Sequence, residues 1–306
     1  MMRFVRHSTK SEWGLGVVAT ADASNLDVLF EGVGYKKLAK STPVLIHIAD
    51  GGVPADHALR KREDWSKIER NGMRASAGRE LPKRLDGLIK EFVALFPGGL
   101  RSSECDAAER ECKVVASAYA RRELDPGVLD GLLERGGHEQ ILMRARRSLS
   151  KANLALCDDL RKFGDIPASA AKDVAEHIVR LVKAGGQTPA ALADLAAVLT
   201  PHGAAKWPIV SLLPFLLDPE HWPFVKPTFI ERVSEATGID VEYDPLPNAR
   251  TYELVRDLYQ HVSVTLKERA FAPRDFIDVH TFLWVASGLA REASDERTRT
   301  GGVPAW

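Results

Sequence analysis

The chain has 306 residues, 45% of them hydrophobic, and its 42 Lys and Arg side chains equal its 42 Asp and Glu side chains in number. This composition is typical of a globular protein of two domains. The longest mainly apolar segment, Ile209–Leu217, is interrupted by Ser211 and Pro214 and is far shorter than the roughly 20 residues of a membrane-spanning helix. Three cysteines and a polar N-terminus predict a cytoplasmic protein without a disulfide framework or a signal peptide.

The first fifty residues predict a small β-barrel. Short runs rich in Val, Leu and Phe alternate there with Gly, Asn and Asp, which is typical of a meander of hairpins. The predicted strands cover residues 3–6, 14–20, 26–30, 35–38 and 44–48. We therefore expect an α+β protein, mainly α, in which residues 1–50 form the barrel and a large all-helical domain follows it.

The sequence pattern predicts that the rest of the chain forms a linker, a helical domain and a tail. Residues 51–80 are polar and charged, which predicts a linker with one short helix. Apolar residues recur at helical spacing from Lys83 onwards, so that residues 81–290 are expected to form about ten helices. Within this domain, prolines and aromatics at 201–227 predict a compact, irregular and mostly buried segment. Residues 291–306 are expected to be a flexible tail.

Several motifs of the first segment carry a resemblance to known barrels. They are His7, the run Gly14-Leu15-Gly16-Val17-Val18, the run Val28-Leu29-Phe30 and the run Gly34-Tyr35-Lys36-Lys37-Leu38. In this order they resemble the SH3-type, Tudor-like barrels of bacterial CarD transcription factors and the small C-terminal barrel of UvrD-type helicases. The resemblance covers about 45 residues. It implies contact with a protein partner, and neither DNA wedging nor helicase activity carries over, because the corresponding motifs are missing.

A free sheet edge is the surface through which such a barrel would bind a partner. An edge strand offers unpaired backbone N–H and C=O groups to an added strand. The candidate partner-binding residues of this chain are Trp13, Tyr35, Lys36 and Lys37. In the alternative interpretation, the two aromatic residues complete a small core and the two lysines protect the edge against aggregation.

These features predict an interaction protein without enzymatic activity and without a cofactor. It would act in bacterial transcription, DNA repair or antiviral defence, with RNA polymerase or a helicase as the partner of the barrel. The helical domain, which is similar to uncharacterised bacterial proteins, would supply a scaffold or an oligomer surface.

An alternative function rests on the pair Arg256 and His261. Their spacing resembles the motif of HEPN ribonucleases, in which the His acts as acid or base and the Arg stabilises phosphate charge. Five residues of helix turn the two side chains to different sides, however, unless the helix bends.

A second alternative is nucleic-acid binding through basic residues. Residues 1–84 carry 15 Lys and Arg against 10 Asp and Glu, and phosphate neutralisation supplies most nonspecific affinity for nucleic acids. The candidates are Arg60, Lys61 and Arg62 in the front segment and Arg144, Arg146, Arg147 and Lys151 in the helical domain.

Two further groups of side chains suggest small ligands. Asp275 and Asp278 share a helix face close to His280, which would suit a divalent cation, although a helix cap is the simpler role of Asp275. His221, Trp222, Phe224 and Lys226 could line a pocket for an anionic or aromatic ligand, although such aromatic clusters are more often core.

Overall fold

The structure, a computed structural model, describes residues 2–40, 44–152 and 154–293. Contacts divide it into two compact units, Met1–Pro82 and Lys83–Trp306. The boundary falls inside a long helix, α1 (Trp65–Leu95). Among the described residues, no helix is long and apolar enough to cross a membrane.

The first unit contains a five-stranded antiparallel sheet. Its strands are β1 (Phe4–His7), β2 (Leu15–Ala21), β3 (Asn25–Phe30), β4 (Gly34–Ala39) and β5 (Leu45–Ile48), in the order β4-β3-β2-β1-β5. The prediction of an N-terminal sheet followed by helices is thereby confirmed. The sheet is open: β4 and β5 are its two edges, and no pairing joins them within the described ranges.

Both faces of the sheet are covered by apolar side chains. One face buries Phe4, Leu15, Val17 and Leu29 together with Val53 and Leu59, which follow the last strand. The other face buries Val5, Val28, Phe30 and Val33. Successive residues of a strand point to opposite faces of the sheet, and here each face packs against its own apolar cluster. This explains why these strands are apolar at consecutive positions.

Residues 51–80, expected to be a linker, are part of the first unit. Short 3-10 helices occupy Asp50–Gly52, Ala58–Arg60 and Arg62–Asp64. α1 starts directly after them, 18 residues earlier than the apolar pattern indicates. The reason is that the first turns of α1 face the sheet core with Trp65 and Ile68 and then with a glycine, Gly72, which no apolar pattern registers.

The second unit consists of helices joined by loops, with no strand among its described residues. Its helices after α1 are α2 (Ser103–Cys105), α3 (Glu111–Glu123), α4 (Pro126–Glu134), α5 (His138–Lys151), α6 (Cys157–Gly164), α7 (Ala168–Val182), α8 (Thr188–Leu199), α9 (Trp207–Leu217), α10 (Pro227–Thr237), α11 (Ala249–Glu268) and α12 (Phe276–Ala286). A π-helical turn, Asp106–Arg110, joins α2 to α3. Residues 294–306 of the expected tail lie outside the described residues.

The segment 201–227 is buried as expected, but it is not irregular throughout. It contains the helix α9, of which all but the last residue are buried. Pro208 occupies the first turn, where its missing N–H has no helical partner to lose, and Pro214 lies inside the helix. The burial of a helix that is apolar on all sides outweighs the cost of the interior proline.

Candidate functional site

The predicted partner-binding residues lie on two faces of the sheet. Trp13 is half-buried and packs edge-on against Phe30, with ring centroids 5.1 Å apart, so that it completes the core of that face. Tyr35 and Lys37 alternate with Lys36 along β4 and therefore point to the opposite face. Tyr35 is 38% exposed and Lys37 is exposed. The edge strand β4 thus carries three of the four candidates, and Trp13 has a structural role.

The basic residues of the first unit are partly committed to its fold. Arg60 forms an ion pair with Asp50 (2.8 Å), donates to three backbone carbonyls and lies over the ring of Phe4. Arg62 lies over the ring of Trp65, whereas Lys61 is exposed. Arg60 therefore stabilises the turn after β5 and does not form an open phosphate contact.

The basic residues of α5 do not form a single stripe. Arg144, Arg147 and Lys151 follow one face at intervals of three and four, and Arg146 points elsewhere, against Gly164. Arg144 donates to the carboxylate and the backbone carbonyl of Glu123. Of the four predicted residues, this leaves Arg147 and Lys151 to contact the phosphate backbone of a nucleic acid.

The proposed ribonuclease pair is not brought together within the chain. Both residues lie on α11, which keeps side chains five residues apart on different sides of the helix. The Arg256 guanidinium lies over the ring of Trp222 and lines a cavity of about 500 Å³. His261 is exposed, and its Nδ1 contacts the carbonyl of Asp257 at 2.7 Å. The chain therefore offers no shared Arg–His site along this helix.

The two aspartates suggested as cation ligands belong to a network of arginines. Asp275 caps α12 and accepts from both Nη atoms of Arg110 at 2.6 and 2.7 Å. Asp278, whose side chain is only 1% exposed, accepts from Arg110 at 2.8 Å and from Arg274 at 2.8 and 3.0 Å. Arg274 also binds Asp106 of the π-helical turn. These contacts satisfy the carboxylates, and the described residues contain no cluster of His, Cys, Asp and Glu suited to a metal ion.

The predicted pocket residues divide between two cavities. His221 and Trp222 line the same cavity as Arg256, whereas Phe224 and Lys226 line a second cavity of about 220 Å³. The second cavity is also lined by His280, which the sequence associates with the two aspartates but not with Lys226. We refer to it as the His280 pocket. The pocket is also lined by two further charged residues, Glu109 and Lys113.

His280 is the most strongly perturbed group of this pocket. Burial lowers the pKa of the imidazole well below its usual range, and the ammonium groups of Lys113 and Lys226 act in the same direction. Its Nδ1 lies 3.1 Å from the hydroxyl of Tyr259, which is also 3.2 Å from the carbonyl of Phe224. His280 is therefore neutral at neutral pH, and the contact of its Nδ1 with Tyr259 holds the imidazole in place.

Neutral burial of His280 predicts a loss of stability in mild acid. Because the pKa in the folded protein lies below its value in the unfolded chain, only the unfolded chain takes up the proton as the pH falls below about 6.5. We expect the free energy of unfolding to decrease by up to about 1.4 kcal/mol per pH unit between pH 6.5 and 5 through this group. Denaturant unfolding at a series of pH values measures the slope.

His280→Asn is the control for this prediction, because the amide retains an N–H donor towards Tyr259 but does not titrate. The slope of the variant should be shallower than that of the wild type by the contribution of one proton. Equal slopes in the two proteins would contradict the assignment of a neutral His280.

Comparisons of the chain with protein-family profiles, with curated proteins and with solved structures found no match.

Proposed function

We propose that this protein is an interaction protein without enzymatic activity, which binds a protein partner by strand addition at β4. The process it serves would be bacterial transcription, DNA repair or antiviral defence. The observation that carries the proposal is the position of β4 at the edge of the sheet, with no strand on its outer side among the described residues. Such an edge leaves half of its backbone N–H and C=O groups available to a partner strand.

The packing of the sheet supports a barrel-like module of the SH3 or Tudor type. Leu38 of one edge strand and Leu45 of the opposite edge strand both pack against the cluster of Val5, Val28 and Phe30. Side chains from both edges can contact one cluster when the sheet curls around it. Such a curl would agree with the resemblance to the CarD-type domains, for which RNA polymerase is the expected partner.

The lysines of β4 indicate the charge of the partner strand. Lys36 and Lys37 occupy opposite faces of the edge, so that an added strand meets a positive charge on either side. A second copy of β4 would place like charges against each other, which is unfavourable, whereas an acidic strand would be attracted. The only ion pair of Lys37 within the described residues is a 3.8 Å contact with the exposed Asp22, which costs little to replace.

Binding of purified partners to charge variants tests the proposal. Core RNA polymerase and a UvrD-type helicase are each titrated against the immobilised full-length protein by biolayer interferometry. We expect one of them to bind, and Lys36→Glu/Lys37→Glu to weaken binding at least tenfold, because the variant reverses both charges of the edge. The control Lys90→Glu/Lys172→Glu makes the same change of charge at exposed positions of α1 and α7 and should bind like the wild type.

Two outcomes would contradict docking at β4. One is the absence of binding of either partner to the wild type at 10 μM, a concentration on the order of weak signalling affinities. The other is an equal loss of binding in the edge variant and in the control, which would assign the effect to net charge. A salt series separates these cases further, since contacts between exposed charges weaken with ionic strength.

A further inference from the structure

The His280 pocket has a hydrogen-bond acceptor that the fold leaves unused. Tyr259 has a single hydroxyl proton, and the carbonyl of Phe224, 3.2 Å away, can only accept. The tyrosine therefore donates to this carbonyl, and Nδ1 of His280 carries the proton that it donates to the tyrosine oxygen. Nε2 is then an unprotonated acceptor, and it has no protein partner among the described residues. A ligand that contacts it needs an O–H or N–H donor.

The charged residues that line the pocket, Lys113, Lys226 and Glu109, carry two positive charges and one negative charge. Lys113 is almost completely buried, and its ammonium group contacts the carboxylate of Glu109 at 3.2 Å. Lys226 lies under the electrostatic influence of Asp159, and burial lowers the pKa of its ammonium group. Both lysines act on His280 as positive charges. An anionic ligand would therefore balance the excess positive charge of the lining.

The walls of the pocket are aromatic. Phe229 lies 4.6 Å from the ring of His280 and 6.3 Å from the ring of Trp284, measured between centroids. Phe224 approaches the same imidazole at 5.7 Å. Flat apolar surfaces of this kind favour a planar ring over a branched chain. The volume of about 220 Å³ exceeds the ~150 Å³ cavity that accommodates benzene, so that a ring with two small substituents fits.

The pocket is built from separate parts of the helical unit. Glu109 belongs to the π-helical turn and Lys113 to α3, whereas Lys226 precedes α10 and His280 lies on α12. π-Helical turns are frequently found at functional sites. The turn at Asp106–Arg110 places Glu109 on the pocket while Asp106 and Arg110 bind the arginine–aspartate network.

We propose that the His280 pocket binds a small aromatic carboxylic acid that carries a hydroxyl or N–H donor on its ring. The carboxylate pairs with Lys226 and Lys113, the donor binds Nε2 of His280, and the ring packs against the aromatic wall formed by Phe229 and Trp284. This site belongs to the helical unit and does not depend on docking at β4.

A protection experiment on the wild-type protein tests the site without mutation. Cys112 lines the pocket and is exposed, Cys157 is exposed elsewhere, and Cys105 is buried with its thiol pKa raised to about 11. Alkylation by iodoacetamide should therefore modify Cys112 and Cys157 but spare Cys105. We expect 3- or 4-hydroxybenzoate at 10 mM to slow the modification of Cys112 several-fold and to leave Cys157 unchanged. Equal rates with and without every acid would overturn the proposal.

Affinities measured by ligand-observed NMR test the chemistry of recognition. A ligand of this size is expected to bind with Kd on the order of 0.1–1 mM. Benzoate, which lacks the ring donor, and 4-hydroxybenzamide, which lacks the charge, should each bind at least about tenfold more weakly than the better hydroxybenzoate. If the neutral amide binds as tightly as the acid, the proposed role of the lysines is wrong.

Lys226→Met and Lys206→Met form a matched pair of variants. Both lysines immediately precede a helix that has a proline in its first turn, and both influence the pKa of Asp159, but only Lys226 lines the pocket. We expect Lys226→Met to raise the Kd for hydroxybenzoate at least tenfold. Lys206→Met should leave this Kd within twofold of the wild-type value. Circular dichroism verifies the fold, and Lys226→Arg should restore binding in part. Equal affinities in the two methionine variants would overturn the proposal.

Discussion

Replacing Asp278 by alanine is expected to destabilise the helical unit by about 3–5 kcal/mol. The carboxylate is buried and accepts from Arg110, from the Arg274 side chain and from the backbone N–H of Arg274. Without it, the guanidinium of Arg110 retains its contacts with Asp275, and that of Arg274 retains Asp106 and a backbone carbonyl. Most of the loss comes from the four hydrogen bonds that the buried carboxylate accepts, three of them from guanidinium groups, and denaturant unfolding measures it.

Asp158→Ala is the matched control for this prediction. Asp158 also pairs with two cations, Arg161 at 2.6 Å and Lys162 at 2.6 Å, but its side chain is 55% exposed. Exposed pairs contribute little, so the control should lose far less stability than Asp278→Ala. Similar losses in the two variants would show that burial of the network does not determine its contribution.

The same variant should disturb the His280 pocket. Asp278 and His280 lie two residues apart at the start of α12, and Arg110 belongs to the turn that also carries Glu109. The network thereby joins two of the elements that line the pocket. A stabilising network placed next to a π-helical turn and a buried histidine has the arrangement expected of residues that hold a binding site in place.

The N-terminal strands were predictable because local pattern and tertiary environment agree there. Apolar runs at 14–20 and 26–30 correspond to β2 and β3, since both faces of these strands are buried. Helix caps were predictable for the same reason. Asp125 before Pro126 caps α4 through the N–H of Val128, and Asp275 caps α12.

The beginning of α1 was not predictable from apolar periodicity. Between Trp65 and Leu81 the described buried positions are few, and one of them is Gly72, which has no side chain to register as apolar. In this region the backbone of α1 packs closely against the turn between β3 and β4. This contact joins residues that are distant in sequence, so no local sequence pattern predicts it.

The His280 pocket was predictable only in part. Lys226 and Phe224 were recognisable as possible lining residues from the proline–aromatic segment around them. Lys113 and Glu109 carry no such signal, because charged residues on helices are usually solvated. His280 lies more than fifty residues from Lys226 in sequence, and no local pattern relates residues at that separation.

Gly72→Ala is expected to destabilise the N-terminal unit by about 1–3 kcal/mol, although alanine is the better helix former. A Cβ atom at Gly72 would lie 2.3 Å from the backbone nitrogen of Gly34 and 2.9 Å from the backbone oxygen of Glu31. Neither atom can move without displacing the β3–β4 turn.

Gly87, in the same helix, has no atom within 4 Å of the corresponding position, so that Gly87→Ala should stabilise the protein by up to about 1 kcal/mol. Hydrogen exchange of the peptides that cover β2 to β4 measures the stability of this unit. Faster exchange in Gly72→Ala and unchanged exchange in Gly87→Ala would locate the effect at the turn, whereas slower exchange in both variants would contradict close packing at Gly72.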